Sequence, residues 1–443
     1  MLEKNTMKKS FNTFQDKRER CINNYLPWLL SSLFIASILS LFFLNSPKPL
    51  TLLLTHQGPH IFDDQQKHSQ TTNVSSSSNS KPHKEENKCD LFKGHWVPAL
   101  EGESSYYTNS SCRTIPDSKN CLRHGRRDTD FLKWKWRPHQ CDLPRFNPTS
   151  FLNIVRGKKM AFIGDSVSRN HMESLLCLLS QEDTPNDMYK DSEDKYRKWY
   201  FPNHDFTLMM IWTRFLIVGE ERIVNGTGSS IFDLHIDKVD QDWANIIPEL
   251  DYAIISDGHW FFRVMYLHQG NKLIGCVYCN EQNVTNYNID FPFRMAFRTA
   301  LKHINDNNNN GSNKNKKRGL LTVLRTFAPA HFENGVWNNG GYCNRTNPLS
   351  EGEADFGSFD WQLRNVQMEE FERAKREEGL FEILDVTRSM LMRPDGHPGE
   401  HWGNKWMKGY NDCTHWCLPG PVDLWSELLL AILVRSQLGI LTS

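Results

Sequence analysis

An apolar run that stops at Gly-Asp and hands over to a helix limits this chain to few folds. "KKMAFIGD" (158–165) reads as a buried strand of about six residues. Behind it, "SRNHMESLLCLLS" sets Met172, Leu175, Leu176 and Leu179 at helical spacing. Ser166 therefore falls at a strand-to-helix turn. "LDYAIISDG" (250–258), "GLLTVLRTF" (319–327) and "LFEILDVT" (380–387) repeat the strand signal. Helix-like segments such as "FRMAFRTALKHI" and "VQMEEFERAKREE" lie between or after them. Strands alternating with helices predict an α/β fold: a mainly parallel sheet with helices on both faces. Such sheets carry ligand sites at the C-terminal strand ends, where Gly164, Asp165 and Ser166 would sit.

The N-terminus predicts a compartment. Pro27 to Leu44 is 18 residues without a charge, enough to cross a bilayer core of ~30 Å. Lys4, Lys8, Lys9, Lys17, Arg18 and Arg20 precede it, and only Lys48 follows closely. The positive-inside rule leaves 1–26 as a cytosolic tail and puts the remainder in a lumen. The long basic lead, without a small-residue cleavage site after Leu44, favours a single transmembrane anchor (27–44) over a cleaved signal peptide. Residues 45–88, with "HSQTTNVSSSSNSKPHKEENK", have almost nothing to bury and read as a disordered stem. The stretch 89–150 is Cys-rich and lacks the β/α rhythm, as a disulfide-stapled smaller lobe would. Residues 151–437 carry the sheet domain, interrupted by the low-complexity loop "NDNNNNGSNKNKKRG" (305–319).

Cysteines and sequons agree with a luminal domain. Cys21 precedes the anchor; Cys89, Cys112, Cys121, Cys141, Cys177, Cys276, Cys279, Cys343, Cys413 and Cys417 follow it. Ten is even, and an oxidising lumen permits five disulfides. Cys276-x-x-Cys279 has no second Cys-x-x-Cys to complete a zinc site, so a disulfide is the better reading and no metal is implied. Cys177 follows Ser166 on its helix, and a bridge from it to the N-terminal lobe would pin the turn. Asn-x-Ser/Thr sequons stand at Asn73, Asn109, Asn225, Asn283, Asn310 and Asn344, all beyond the anchor. Lys+Arg and Asp+Glu are 52 each, so no net basic field argues for nucleic acid. The patch "RHGRRD" (123–128) reads as a solvated loop, and no P-loop, Rossmann glycine pattern or EF-hand is visible.

A nucleophilic Ser166 needs a base. "YNDCTHWCLPGPVDLW" supplies Asp412 and His415, three apart and so on one face of a helical turn. Asp412 would orient the imidazole, leaving the other ring nitrogen to take the Ser166 proton. Taken singly, each motif has a plain alternative. Ser166 could cap its helix, and Asp412–His415 could be a loop hydrogen bond between Cys413 and Cys417. "RPDGHPG" offers a rival pair, Asp395 and His397, whose side chains diverge at i+2. The strand–turn–helix and the Asp-His pair together favour catalysis. Of the 14 Trp residues, Trp260, Trp337, Trp402 and Trp406 sit in Gly-rich or polar loops and could stack on sugar rings.

With these residues assembled, the chain resembles the plant trichome-birefringence-like family of Golgi polysaccharide O-acetyltransferases. "FIGDSVSRNH", "FLKWKWRP", "CDLPRF", "GGYCNRT", "RPDGHPG" and "NDCTHWCLPGPVDLW" carry the resemblance, from about Cys89 to Leu430. It implies a three-layer α/β/α domain like that of Gly-Asp-Ser esterases. Ser166 would be the acyl nucleophile, His415 the base and Asp412 its orienter. Such esterases place an oxyanion-hole Asn in a Gly-x-Asn-Asp block; "SDGHWFF" (256–262) lacks it. The N–H of Ser166 is then one oxyanion donor, with Gly258, Arg169 and Asn170 as candidates for the second. Cys276/Cys279, "HFENGVWNNGGYCNRT" and "CLPGPVD" are most similar to the xyloglucan branch, which implies acetylation of galactose O-6. The resemblance further implies a type II Golgi membrane protein with a luminal domain. It would bind no cofactor but use an acetyl donor, with acetyl-CoA as a candidate and a donor-supplying membrane protein as a candidate partner. Alternatives on the same residues are a polysaccharide acetylesterase and a transferase for xylan, mannan or pectin. A non-catalytic wall-polysaccharide binder and a structural partner of another acetyltransferase are two more.

Overall fold

The run at 158–165 forms a strand in the computed structural model, and so do those at 250–258, 319–327 and 380–387. The structure describes residues 89–100, 105–309, 319–377, 379–404, 407, 409–437 and 439. The tail, the anchor 27–44 and the stem lie outside the described residues, as do Cys21, Asn73, Asn310 and Trp406. Among the described residues no helix is long and apolar enough to cross a membrane.

An antiparallel pair, β1 (Gly94–Pro98) and β2 (Trp134–Pro138), comes first. Helix α1 (Pro148–Ile154), β3 (Lys159–Gly164) and helix α2 (Ser166–Leu179) follow. Strands β4 (Asn186–Lys190), β5 (Tyr196–Phe201), β6 (Phe206–Trp212), β7 (Ile217–Val224) and β8 (Thr227–Val239) precede the short α3 (Gln241–Ala244). Then come β9 (Tyr252–Ser256), β10 (Val264–Gln269), β11 (Lys272–Val277) and α4 (Asp290–Asn309). The chain continues through β12 (Leu321–Arg325), α5 (Phe359–Lys375), β13 (Phe381–Leu384), α6 (Thr387–Leu391) and α7 (Asp423–Gln437).

Seven strands form the main sheet in the order β13-β12-β9-β3-β6-β5-β4. The first five are parallel, and β5 and β4 extend the sheet antiparallel. The central strands are buried at nearly every position, and successive residues face opposite sides of a sheet covered on both faces. Met160, Phe162, Leu208, Met210 and Ile254 join one apolar cluster with Leu175 and Leu179 of α2 and Leu428 of α7. Ala161, Ile163, Met209, Ile211 and Ile255 join the other, with Phe293 and Phe297 of α4 and Leu363 of α5. A second sheet, β11-β10-β8-β7, lacks any counterpart among the sequence-based expectations. Most residues of β7 and β8 are partly exposed, so their hydrophobic signal is weak.

Disulfides tie the Cys-rich stretch to this frame. Cys89–Cys141 closes it internally. Cys112–Cys177 fastens it to α2, and Cys121–Cys417 to the loop before α7. Cys343–Cys413 and Cys276–Cys279 complete the set. Buried polar contacts reinforce the junction. Tyr107 Oη donates to Asp423 at 2.8 Å, and Tyr106 Oη to Glu427 at 2.5 Å. Burial pushes Asp423 up to about 6 and Glu427 up to about 7.

An acid whose folded pKa is raised stabilises the fold while protonated. For Glu427 that stabilisation is complete below its unfolded value of about 4.3 and is lost as pH rises through about 7. Glu427→Gln cannot ionise. Melting curves from pH 5 to 8 should therefore show wild type losing stability relative to Glu427→Gln. A constant difference would show that the carboxyl is not held protonated.

Candidate active site

The turn after β3 begins at Gly164, whose φ is +147°. A Cβ there would lie 1.6 Å from the Ser256 carbonyl oxygen, so only glycine lets β3 approach β9 this closely. Asp165, fully buried, is the helix cap. Its Oδ1 accepts the N–H groups of Val167 at 2.9 Å and Ser168 at 3.3 Å. Its Oδ2 accepts those of Gly258 and His259, both at 3.1 Å. One carboxylate thus joins the turn after β3 to the loop after β9. Ser166 is the first helical residue and not the cap, which removes the plain reading of its hydroxyl.

Asp412 and His415 come together, though not on a helix. Asp412 pairs with Gly399 in an isolated bridge, and the chain bends after it. Its Oδ1 accepts the N–H groups of Thr414 at 3.1 Å and His415 at 2.9 Å. That side-chain turn brings His415 Nδ1 to 2.8 Å from Oδ2. Burial alone would raise the Asp412 pKa; the His415 ring and these N–H donors outweigh it and hold the acid well below its usual range. His415 Nδ1–H donates to Asp412, and Nε2 is buried with no hydrogen-bond partner. Ser166 and His415 line one cleft, without a hydrogen bond between them. Catalytic hydrogen bonds are commonly open before substrate binds.

Asn170, one turn beyond Ser166, secures the two halves. Its Oδ1 accepts the Trp416 N–H at 2.7 Å, and its Nδ2 donates to the Trp416 carbonyl at 3.3 Å. The rival pair is separated. Asp395 is ion-paired with Arg393 at 2.8 Å. His397 is buried, and its Nδ1–H donates to the His415 carbonyl at 2.6 Å. Its Nε2 faces His331 Nδ1 at 2.7 Å, and its ring lies 4.0 Å from that of Trp416. Burial pushes its pKa well down. His397 is a neutral prop beneath His415.

The oxyanion-donor candidates differ in what they already bind. The Gly258 N–H is spent on Asp165 and the Asn170 amide on Trp416. Arg169 binds the Asp194 carbonyl and lies 3.8 Å from its carboxylate. The Ser166 N–H stands at the helix N-terminus, and Arg169 Nε is buried without a hydrogen-bond partner.

The cleft encloses about 470 Å³. Trp260, Trp337 and Trp402 all line it, with Phe262, Phe332 and Tyr410. Trp337 is 54% exposed, while Trp260 sits edge-on to Trp212 and beneath the Arg263 guanidinium at 4.0 Å. His259 also lines it, a residue that sequence reasoning passed over although it lies inside the quoted "SDGHWFF". Its Nε2–H donates to the Ala328 carbonyl at 2.9 Å, and burial pushes its pKa down to about 4. Asn109, Asn225, Asn283 and Asn344 are exposed.

Ser166→Ala should melt within about 2 °C of wild type, since no fold contact of the hydroxyl is lost. Asp165→Ala strips the acceptor from four N–H groups, at ~1–3 kcal/mol for each one left buried and unsatisfied. It should melt many degrees lower or fail to fold. Calorimetry of the two variants decides; equal melting points would remove Asp165 as the stitch.

Comparison with known proteins places this geometry. Residues 143–432 match the GDSL/SGNH-like acyl-esterase family found in Pmr5 and Cas1p, and residues 87–142 match the PMR5 N-terminal domain. Xyloglucan O-acetyltransferase 4 of Populus trichocarpa is 55% identical over 422 residues, 95% of each chain. Xyloglucan O-acetyltransferase 2 of Arabidopsis thaliana is 55% identical over 78% of this chain and 83% of its own. Protein trichome birefringence-like 20 of Arabidopsis thaliana is 43% identical over 79% of this chain and 73% of its own. The chain belongs to the trichome-birefringence-like family, built on a GDSL/SGNH-like acyl-esterase domain.

Proposed function

We propose that this protein is a xyloglucan O-acetyltransferase that acylates galactose O-6 through an acetyl-serine, in the Golgi lumen. The observation that carries the reading is His415: Asp412 holds one ring nitrogen, and the other is unpartnered in the cleft that Ser166 lines. The names of the relatives support the acceptor polymer. The sheet with helices on both faces supports a three-layer α/β/α domain at 151–437, and the disulfides a stapled lobe at 89–150.

Ser166 Oγ attacks the acetyl carbonyl carbon of an activated donor such as acetyl-CoA, and His415 Nε2 takes the hydroxyl proton. The Ser166 N–H and the positive end of α2 face the developing oxyanion. As the tetrahedral centre collapses, the donor's leaving group departs with the proton from His415. An acceptor hydroxyl then attacks the acetyl-serine. His415 takes its proton and returns it to Ser166 Oγ. Proton transfer by His415 is worth ~10²–10⁴ in rate. Asp412 keeps Nδ1 protonated and stabilises the imidazolium.

Wild type given donor without acceptor should gain one acetyl group, mapped by mass spectrometry to "AFIGDSVSR". Ser166→Ala should gain none, and His415→Ala should lose nearly all transfer. His397→Ala should lose stability but keep a Ser166-dependent donor reaction. If His397→Ala abolishes that reaction and His415→Ala does not, the base is misassigned. NMR of the product decides between galactose O-6 and xylan, mannan or pectin positions; release of free acetate alone would make the protein an esterase.

Ten paired cysteines support an oxidising lumen as the site of this chemistry. Protease treatment of intact microsomes should spare everything beyond about residue 45 and remove the N-terminal tail. Digestion of the esterase-like domain would place it in the cytosol and defeat the type II reading.

A further inference from the structure

Asp360, in the first turn of α5, lines the same cleft as Ser166 and His415, and the acyl chemistry does not employ it. It is the second residue of α5, whose cap is Ser358, so it does not cap the helix. The neighbouring Arg364 goes to Asp385 at 2.9 Å, and Arg263 donates to backbone carbonyls and stacks on Trp260. Asp412, the other acid of the cleft, is committed to His415. Among the described residues Asp360 has neither a hydrogen bond nor an ion pair, and burial pushes its pKa up to about 7. The side chain is half-buried at the cleft wall, where a ligand that brings donors would supply the partners the fold does not.

The surrounding chemistry narrows the ligand. Phe262, 40% exposed, and Trp337, 54% exposed, line the cleft with Phe327 and Phe332. Apolar rings beside a carboxylate acceptor match a pyranose, which has a carbon-bound hydrogen face and a hydroxyl edge that donates. We propose that Asp360 binds the acceptor sugar, its carboxylate accepting hydrogen bonds from ring hydroxyls while the exposed rings of Phe262 and Trp337 pack on the carbon face. The inference rests on the transferase reading above and assigns the acceptor subsite within it. It leaves the donor half-reaction to Ser166 and His415.

The test separates the two half-reactions in the full-length protein in detergent. With 4-nitrophenyl acetate as donor and no acceptor, Asp360→Ala and Asp360→Asn should show the wild-type burst within about twofold. With a galactosylated xyloglucan oligosaccharide added, the acceptor KM should rise about ten- to hundredfold in Asp360→Ala, the loss of one hydrogen bond to a charged group. Asp360→Asn keeps one acceptor oxygen and should rise less. An unchanged acceptor KM in both variants, or a burst that falls in parallel, overturns the assignment. If wild type shows a burst but transfers nothing to the sugar, the transferase reading fails separately. Asp360 is then judged by NMR titration of Ser166→Ala and Ser166→Ala/Asp360→Ala with the oligosaccharide. Weaker binding to the double variant sustains the subsite; equal binding, or none to either, overturns it.

Discussion

The carboxylate of Asp165 holds the site together. Four N–H groups from two loops converge on its two oxygens. Those loops leave β3 and β9, which are adjacent parallel strands, so the bond ties the C-terminal edge of the sheet at one point. Helix α2 starts there, and its first N–H groups are satisfied by Asp165 rather than by the hydroxyl of Ser166. The serine is thereby free for chemistry while its backbone stays fixed. Gly164 is the steric condition for this arrangement, because any Cβ would strike the Ser256 carbonyl.

The loop that carries Asp412 and His415 is fastened to that helix and to three further segments. Asn170 grips both polar groups of the Trp416 backbone, one residue past His415. Cys413 and Cys417 bracket the loop and are bridged to Cys343 and Cys121. His397 supports the His415 carbonyl from below. Each restraint is short and either covalent or buried, so the imidazole is held on a rigid base although it lies on a loop. The cost is a set of buried polar groups: Asp412, Asn170 and His397 find backbone partners, whereas Trp416 Nε1 has none.

The cleft itself is built differently. Its walls are aromatic side chains contributed by segments far apart in the chain, including Trp260, Phe327, Trp337 and Trp402. Asp360 stands among them unpaired. An apolar wall with few polar groups is the composition expected where a sugar face packs and a small number of hydroxyls are read.

Periodicity and composition were enough for four of the five parallel strands, β3, β9, β12 and β13, which read as apolar runs; β6, also parallel, was not anticipated. The Gly-Asp-Ser turn and the Asp412–His415 pair were legible because both are local: a cap and a side-chain turn act over two or three residues. The second sheet was not, since its strands are partly exposed and broken by bulges. Nor could spacing reveal that Asp165 would consume the Gly258 N–H, that Asn170 would grip Trp416, or that His397 would serve as a prop. Those contacts join residues 93, 246 and 18 positions apart. Residue types and local spacing therefore specified four strands of the main sheet, the Gly-Asp-Ser turn and the Asp412–His415 pair. Long-range packing alone decided which polar groups were already taken, because a hydrogen-bond donor is available to a substrate only if no distant part of the chain has claimed it.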